Sequence, residues 1–266
     1  MAVVLLTNNS NRGQALAHLI QRAGIDLRLV VVEDASQKPS TEPKFISISR
    51  KVLGPPYRWL KSLISLSVED RAALRFEEAS IAKANKLVDD YIAGLGVKGR
   101  PLGVEYLETP SLNEATVVTA VTKAEPDVCV VMGTSIIKPR MISIPKLGMV
   151  NAHTSILPEY RGSRSEFWQC YNEDYSHVGI TLHYIDKGVD TGQILFQKKQ
   201  EVGENPDPNM LRANNTLATL QNYVDVIQSV LDGTDQPKPQ GQCTTPTYRF
   251  KDISLDKRLN LYKRFI

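Results

Sequence analysis

Runs of apolar residues separated by amphipathic segments make up the first part of the chain. Residues 2–6 are apolar and precede the polar loop T-N-N-S-N-R-G, the segment Q-A-L-A-H-L-I-Q-R-A and a second apolar run at residues 29–32. Short apolar runs are typical of buried strands, and apolar residues spaced three and four apart are typical of amphipathic helices. A strand, a helix and a second strand in this order predict a βαβ unit and hence a parallel sheet.

The rest of the chain continues this alternation. The segment P-D-V-C-V-V-M-G at residues 126–133 predicts another buried parallel strand. Further strands are predicted at residues 104–107, 147–151, 178–185 and 193–202, helices at residues 57–66, 79–95, 112–123 and 207–231, and a proline-containing loop at residues 36–56. The predicted fold class is therefore α/β. We expect a doubly wound, mostly parallel, Rossmann-like sheet in a main domain of residues 1–203, followed by a helix and a short extension in residues 204–266.

Composition and charge restrict the class of protein. With 266 residues, of which 42% are hydrophobic and 23% are charged, the chain has the composition of a globular protein. Its net charge is only +3 and its basic residues are spread along the chain, which argues against a nucleic acid as partner. Three cysteines without paired spacing favour a reducing compartment. Since no apolar stretch is long enough to span a membrane, we expect a cytoplasmic protein without a membrane partner.

A group of polar residues interrupts the apolar pattern between residues 150 and 193. Asn151 and His153 lie two positions apart at the end of a predicted strand, so both side chains point to the same side. Asp190 lies in K-G-V-D-T-G, where flanking glycines allow a loop to bring the carboxylate back to the strand end. An amide and an imidazole can stabilise a carbonyl oxygen that gains negative charge, while a carboxylate can orient the imidazole and accept a proton. Taken singly, the histidine is also compatible with a structural role and the aspartate with a turn.

The whole stretch is similar to one known pattern. N-x-H-x-S-x-L-P-x-x-x-G followed by G-x-T-x-H-x-x-D-x-x-x-D-T-G resembles the folate-dependent formyltransferases, over about residues 128–202. This family includes glycinamide ribonucleotide, methionyl-tRNA and sugar N-formyltransferases, and the fold class it implies is the α/β sheet predicted above. The resemblance implies that Asn151, His153 and Asp190 carry the catalysis, with 10-formyltetrahydrofolate as formyl donor and no metal. It assigns His183 to the scaffold.

The resemblance also indicates where the two substrates bind. Family members hold the pterin ring of the folate through segments that fall here on residues 133–137 and 187–190. The candidates for donor binding are Gly133, Ser135, Ile136, Ile137, Lys187, Gly188 and Val189. In glycinamide ribonucleotide enzymes the loop after the first strand binds the acceptor phosphate, although a capped helix start has the same sequence as the loop here. The candidates for acceptor binding are Ser10, Asn11, Arg161 and Trp168.

The residues after the glycine loop bear on the identity of the acceptor. The pair Phe167 and Trp168 after the glycine loop resembles a segment of sugar N-formyltransferases, which favours a small-molecule primary amine, an amino sugar linked to a nucleotide. The alternatives are glycinamide ribonucleotide, a natural-product amine, or hydrolysis of 10-formyltetrahydrofolate. A folate- or nucleotide-binding regulator is the alternative outside enzymes, but a binding protein does not need all three residues of the trio. For residues 51–100 two interpretations stay open, an insertion that covers the active site and an oligomer interface, the second of which would make the protein a homodimer.

Overall fold

The computed structural model describes residues 1–34, residue 36 and residues 66–266. The loop predicted at residues 36–56 and the helix predicted at residues 57–66 lie outside the described residues, apart from residues 36 and 66 themselves. Within the described part, no helix is both long enough and apolar enough to cross a membrane. The same part of the chain contains no group of three or more histidine, cysteine, aspartate or glutamate side chains arranged to hold a metal ion.

Seven strands form one sheet, in the order β3-β2-β1-β4-β5-β6-β7. The strands are β1 Ala2–Asn8, β2 Asp26–Glu33, β3 Glu105–Thr109, β4 Val128–Met132, β5 Gly148–His153, β6 Gly179–Tyr184 and β7 Ile194–Lys199. Strands β1 to β5 are parallel, whereas β6 is antiparallel to both β5 and β7. The strand order reverses between β1 and β4, and open α/β sheets bind ligands at the carboxyl ends of strands at such a point.

Helices cover both faces of the sheet. They are α1 Asn11–Arg22, α2 Val68–Gly94, α3 Ala115–Lys123, α4 Pro139–Ile142, α5 Ser165–Tyr171, α6 Pro208–Leu231 and α7 Leu255–Tyr262. The prediction of an α/β, doubly wound, mostly parallel sheet is confirmed. Helix α2 starts earlier than the predicted residue 79, because Ser67 and Asp70 form a capping box that satisfies free backbone N–H groups at its first turn.

Two hydrophobic cores lie on opposite faces of the sheet because strand residues alternate between the faces. Val3 and Leu5 pack with α1, α2 and α6, whereas Val4 and Leu6 pack with α3 and α4. Helix α6 thus shares a core with the strands of the sheet. The domain boundary predicted at residues 203 and 204 falls between β7 and α6 and stays a prediction.

Tyr223 of α6 links the helix to the two strands that lead to the polar group. Its side chain is fully buried, and its hydroxyl lies 2.7 Å from the carbonyl oxygen of Val150 and 2.8 Å from that of Val131. The Tyr223 hydroxyl oxygen also accepts a hydrogen bond from the backbone N–H of Val131 at 3.3 Å. Val131 lies on β4 and Val150 on β5, so the hydroxyl sits where the two strands approach their carboxyl ends.

Residues 238–249, called the closing segment below, return across the carboxyl end of the sheet. Lys238 pairs with Ile194 of β7, and Tyr248 pairs with Gly162 in the loop after β5. The Tyr248 ring stacks on Tyr160 at a centroid distance of 5.3 Å. A Cβ atom on Gly162 would lie 2.0 Å from the Tyr248 carbonyl oxygen, so only glycine permits this pairing.

Candidate active site

Asn151 and His153 lie at the carboxyl end of β5, an interior strand of the sheet. Their spacing of two residues places both side chains on the same face, as the sequence predicts. His153 is buried and Asn151 is half-buried, and both contribute to the wall of the same cavity. The strand therefore presents an amide and an imidazole at the edge of the sheet where ligands of α/β proteins bind.

The loop after β6 brings Asp190 to the two side chains. Asp190 itself adopts a left-handed backbone conformation with φ of 52°. A Cβ atom on Gly192 would lie 1.8 Å from the carbonyl oxygen of Tyr184, so this position requires glycine. The carboxylate oxygen Oδ2 of Asp190 accepts a hydrogen bond from the backbone N–H of Gly162 at 2.8 Å. The flanking glycines therefore allow the tight loop that returns the carboxylate to the strand end.

Asp190 lies between two imidazoles. Its Oδ2 is 3.5 Å from Nδ1 of His153, and its Oδ1 is 3.6 Å from Nε2 of His183. His183 lies on β6 directly opposite Asn151, and its Nε2 is 3.2 Å from the Asn151 amide nitrogen. The structure thus makes His183 a fourth member of the group, although the sequence pattern assigns it to the scaffold. The only local signal for His183 in the sequence is its place in the alternating pattern of a predicted strand.

The protonation pattern follows from the hydrogen bonds. Nε2 of His153 donates to the carbonyl oxygen of Tyr160 at 2.9 Å, which leaves Nδ1 facing Asp190. Burial opposes ionisation of the Asp190 carboxyl, but the charge of His153 and the hydrogen bond from His183 outweigh it and hold the pKa of Asp190 well below its ordinary value. Asp190 is therefore an ionised, desolvated carboxylate that faces a cavity.

This cavity has a volume of about 720 Å³ and lies over the strand-order reversal. One part of its wall consists of the predicted donor-binding residues, all of which line it: Gly133, Ser135, Ile136, Ile137, Lys187, Gly188 and Val189. The Ser135 backbone N–H and hydroxyl both donate to the buried carboxylate of Glu33, at 2.8 and 2.6 Å. Two apolar side chains of this wall remain exposed, Ile136 at 78% and Val189 at 42%.

The predicted acceptor-binding residues are not brought together. Ser10 lines the cavity, but Asn11 points to Asp89 on α2. Arg161 donates to the side chain of Gln240 at 2.8 Å and lines a separate, smaller cavity. Trp168 is buried and stacks on Tyr248 with ring centroids 4.8 Å apart. The acceptor roles of these four residues stay predictions, and the structure favours a packing role for Trp168.

Three arginines that the sequence does not single out line the cavity instead. Arg12 follows the β1–α1 loop, Arg164 precedes α5 and Arg212 lies on α6. Desolvation, followed by repulsion from Arg212, lowers the pKa of both Arg12 and Arg164, while the nearby carboxylate of Glu166 acts in the opposite direction on both. Arg212 therefore lies within electrostatic range of each of the other two guanidinium groups. Among the ion pairs of the described residues, none involves these three side chains. They form a cationic corner of the cavity, defined by Arg12, Arg164 and Arg212.

Solved structures with the same fold include formyltransferases. A sugar N-formyltransferase from Shewanella sp. FDAARGOS_354 superimposes with a TM-score of 0.61 and 13% identity, covering 99% of this chain and 86% of that one. An N-formyltransferase from Helicobacter canadensis superimposes with a TM-score of 0.56 and 13% identity, covering 100% and 81%. At this level of identity the likeness shows a shared fold.

Sequence comparison assigns the family. The methionyl-tRNA formyltransferase of Thermodesulfovibrio yellowstonii is 28% identical over 152 residues, which are 56% of this chain and 49% of that protein. The matched region thus spans about half the length of this curated relative. The model of the formyl transferase family matches residues 71–227, more than half of the 266 residues, and this stretch includes the loop and strands that carry Asn151, His153, His183 and Asp190. The chain belongs to the formyl transferase family.

Proposed function

We propose that the protein transfers the formyl group of 10-formyltetrahydrofolate to a primary amine. The observation that carries this proposal is the group formed by Asn151, His153, His183 and Asp190 at the cavity wall, with the Asp190 carboxylate 3.5 Å from His153. Such a group combines a neutral hydrogen-bond donor, two imidazoles and an ionised carboxylate in one desolvated site. Formyl transfer to an amine needs a group that donates a hydrogen bond to the formyl oxygen and a base that accepts the proton of the amine.

The folate supplies an activated formyl carbon when it is bound. Asn151 donates its amide N–H to the carbonyl oxygen as that oxygen gains negative charge, and loss of such a donor typically slows a reaction about 100- to 1000-fold. Asp190 accepts the proton of the attacking amine, directly or through a water molecule, and gives it to the folate nitrogen as the bond between that nitrogen and the formyl carbon breaks. The acceptor then leaves as a formamide and the donor as tetrahydrofolate. The amine nitrogen becomes positively charged and more acidic once it bonds to the formyl carbon. Because a carboxylate with a lowered pKa is a weak base, Asp190 passes this proton on and does not retain it. His153 and His183 stabilise Asp190 as an anion before the transfer.

The cavity wall at residues 133–137 and 187–190 suits a pterin. Ile136 and Val189 present exposed apolar surface there, and a flat heterocycle would cover both. Lys187 and the glycine-containing loop offer polar groups next to them. The Helicobacter canadensis enzyme was crystallised with folinic acid, a reduced folate, and its fold likeness supports the same class of donor here.

The cationic corner supports an acceptor that carries phosphate. Arg12, Arg164 and Arg212 project from three elements into the cavity that Asp190 faces, and guanidinium groups match the geometry of phosphate oxygens. Three clustered cations suit a diphosphate better than a single carboxylate. The Helicobacter canadensis enzyme was crystallised with dTDP-3-aminofucose, so a nucleotide-linked amino sugar is the acceptor that we propose.

The test is the release of tetrahydrofolate from 10-formyltetrahydrofolate, with dTDP- or GDP-linked amino sugars as acceptors. We expect turnover that requires the acceptor and yields a formamide by mass spectrometry. Equal turnover without acceptor would mean hydrolysis of the donor, and turnover with methionyl-tRNA alone would reassign the acceptor to the class of the curated relative. Absence of turnover with every amine offered, together with absence of folate binding, would overturn the proposal.

A variant at the cationic corner tests the acceptor class separately. Arg212→Gln removes one of the three charges while leaving the Asp190 group in place, so we expect about a 10-fold or greater loss of dTDP affinity and unchanged folate affinity by calorimetry. Ribose 5-phosphate serves as a second probe and distinguishes a phosphate monoester from a diphosphate acceptor. Arg140→Gln, on the exposed surface of α4, is the matched control. Wild-type protein that binds neither probe at millimolar concentration would overturn the phosphate-bearing acceptor.

A further inference from the structure

Gln240 of the closing segment makes two hydrogen bonds to the loop that carries Asp190 and one to the loop that follows β5. Its side-chain nitrogen donates to the carbonyl oxygen of Asp190 at 2.9 Å and to that of Gly192 at 2.7 Å. Its side-chain oxygen accepts from the guanidinium of Arg161 at 2.8 Å. The Gln240 amide therefore donates both of its N–H hydrogens to the loop that carries Asp190. Its oxygen accepts a hydrogen bond from the loop that follows β5.

The bonds from Gln240 restrain this loop next to a strained residue. Asp190 has a φ of 52°, a left-handed conformation that costs a residue with a side chain on the order of 1 kcal/mol or more and persists only where the surroundings hold it. The two carbonyl groups bound by Gln240 flank Thr191, immediately after the strained residue. Without these bonds, the described hydrogen bonds of Asp190 itself reduce to the one from Gly162 to its carboxylate and the contacts with the two imidazoles.

Gln240 can act as a restraint because the closing segment is anchored on both sides of it. On one side, Lys238 exchanges two backbone hydrogen bonds with Ile194, both of 2.8 Å. On the other side, the buried carboxylate of Glu159 accepts from the backbone N–H groups of Thr244 at 2.9 Å and Thr245 at 2.8 Å. The position of the Gln240 side chain is thus fixed by contacts that do not involve Asp190.

We propose that Gln240 is a positioning residue, which holds the loop at Asp190 and Gly192 so that the carboxylate faces His153 and His183. It does not line the main cavity, so its effect passes through Asp190 and not through contact with either substrate. The catalytic consequence rests on the proposed formyl transfer. The conformational consequence does not, since it concerns the loop of the free protein.

Two substitutions separate the hydrogen bonds from the size of the side chain. Gln240→Met keeps the length and removes all three bonds, whereas Gln240→Glu keeps an acceptor for Arg161 and removes both donors to the loop. We expect both variants to lower kcat about 10- to 100-fold and to raise KM for the folate by a smaller factor, since residues 187–189 of the same loop belong to the candidate donor site. Gln242→Met, at an exposed residue of the same segment, is the matched control and retains wild-type kcat.

Two readouts distinguish positioning from a general loss of structure. Hydrogen exchange of the amides at residues 188–192 should accelerate in both variants, while exchange in β4 stays at the wild-type rate. The acidic limb of the pH profile of kcat should move to higher pH, because a looser loop weakens the contacts that hold the pKa of Asp190 down.

Each outcome decides the proposal. Wild-type exchange in the loop of both variants would overturn it, and so would a lower kcat without a shift of the acidic limb. If Gln240→Met fails to fold, Gln240→Glu and the shorter Gln240→Asn carry the same comparison. If the wild-type protein shows no formyl transfer, the proposed function fails, and loop exchange in the variants still decides whether Gln240 restrains Asp190.

Discussion

At the scale of single residues, the Asp190 carboxylate combines burial, a left-handed backbone and two imidazole neighbours. Asp190→Asn keeps the shape and removes the charge, so the amine loses its proton acceptor. We expect turnover to fall to below a tenth of wild type while folate binding stays within a few-fold by calorimetry. Retention of more than about a tenth would put less than about 1.4 kcal/mol of barrier at stake and would make Asp190 a turn residue.

The same carboxylate gives stability a measurable pH dependence. The pKa of Asp190 is lowered in the folded protein, whereas an aspartate in the unfolded chain has a pKa of about 3.9. Ionisation of Asp190 therefore stabilises the folded state above about pH 4, and this contribution is lost as the pH falls towards the folded pKa. We expect the difference in unfolding free energy between wild type and Asp190→Asn to shrink between pH 5 and pH 3. The limiting slope is about 1.4 kcal/mol per pH unit. Urea titrations at several pH values measure it, and a difference independent of pH would contradict the lowered pKa.

How far the sequence predicts the site depends on the distance between its members along the chain. The two-residue spacing of Asn151 and His153 and the glycines beside Asp190 are local signals, and the structure brings these three residues together. His183 escapes prediction because it meets Asn151 through the antiparallel register of β5 and β6, which no short motif contains. Arg12, Arg164 and Arg212 escape it because they come from three separate elements and meet only in the folded cavity.

At the scale of elements, a buried hydroxyl adds hydrogen bonds to the hydrophobic packing of α6 on the sheet. Tyr223→Phe would leave the carbonyl groups of Val131 and Val150 and the Val131 N–H without this partner. We expect the free energy of unfolding to fall by about 1 to 3 kcal/mol, the cost of leaving buried polar groups unsatisfied. Denaturant titration measures the change.

The control for this substitution is Tyr171→Phe. The hydroxyl of Tyr171 makes no side-chain hydrogen bond among those of the described residues, so removing it should change stability by less than about 0.5 kcal/mol. Equal losses of stability in the two variants would mean that the hydrogen bonds of the Tyr223 hydroxyl add nothing to the free energy of unfolding.

Elements were easier to predict than their ends. The apolar runs predict β4, β5, β6 and β7 because buried strands need apolar residues on both faces or on alternate positions. The end of β5 was placed at Asn151, yet the strand continues to His153, since pairing with β6 extends it through two polar residues. Tertiary pairing thus overrides the polarity that would end a strand in isolation.

At the scale of the whole molecule, the cavity draws its wall from both halves of the sheet, and a ligand there binds only the folded chain. We expect 5-formyltetrahydrofolate, a stable relative of the donor, to raise the melting temperature in a concentration-dependent way. Ligand at 100 times its dissociation constant adds about 2.7 kcal/mol to the stability. Differential scanning fluorimetry measures the shift, and an unchanged melting temperature at millimolar ligand would contradict the donor site.

The order of biosynthesis adds a consequence of the contact between Gln240 and Asp190. Fifty residues separate the two positions along the chain. Ribosomes add about 5 to 20 residues per second, so a growing chain carries Asp190 for about 3 to 10 s before Gln240 is made. By the end of that interval all seven strands of the sheet have been synthesised, but the loop that carries the carboxylate has not received its two hydrogen bonds from the amide. The loop at Asp190 can therefore gain its hydrogen bonds from Gln240 only after all strands of the sheet have been synthesised.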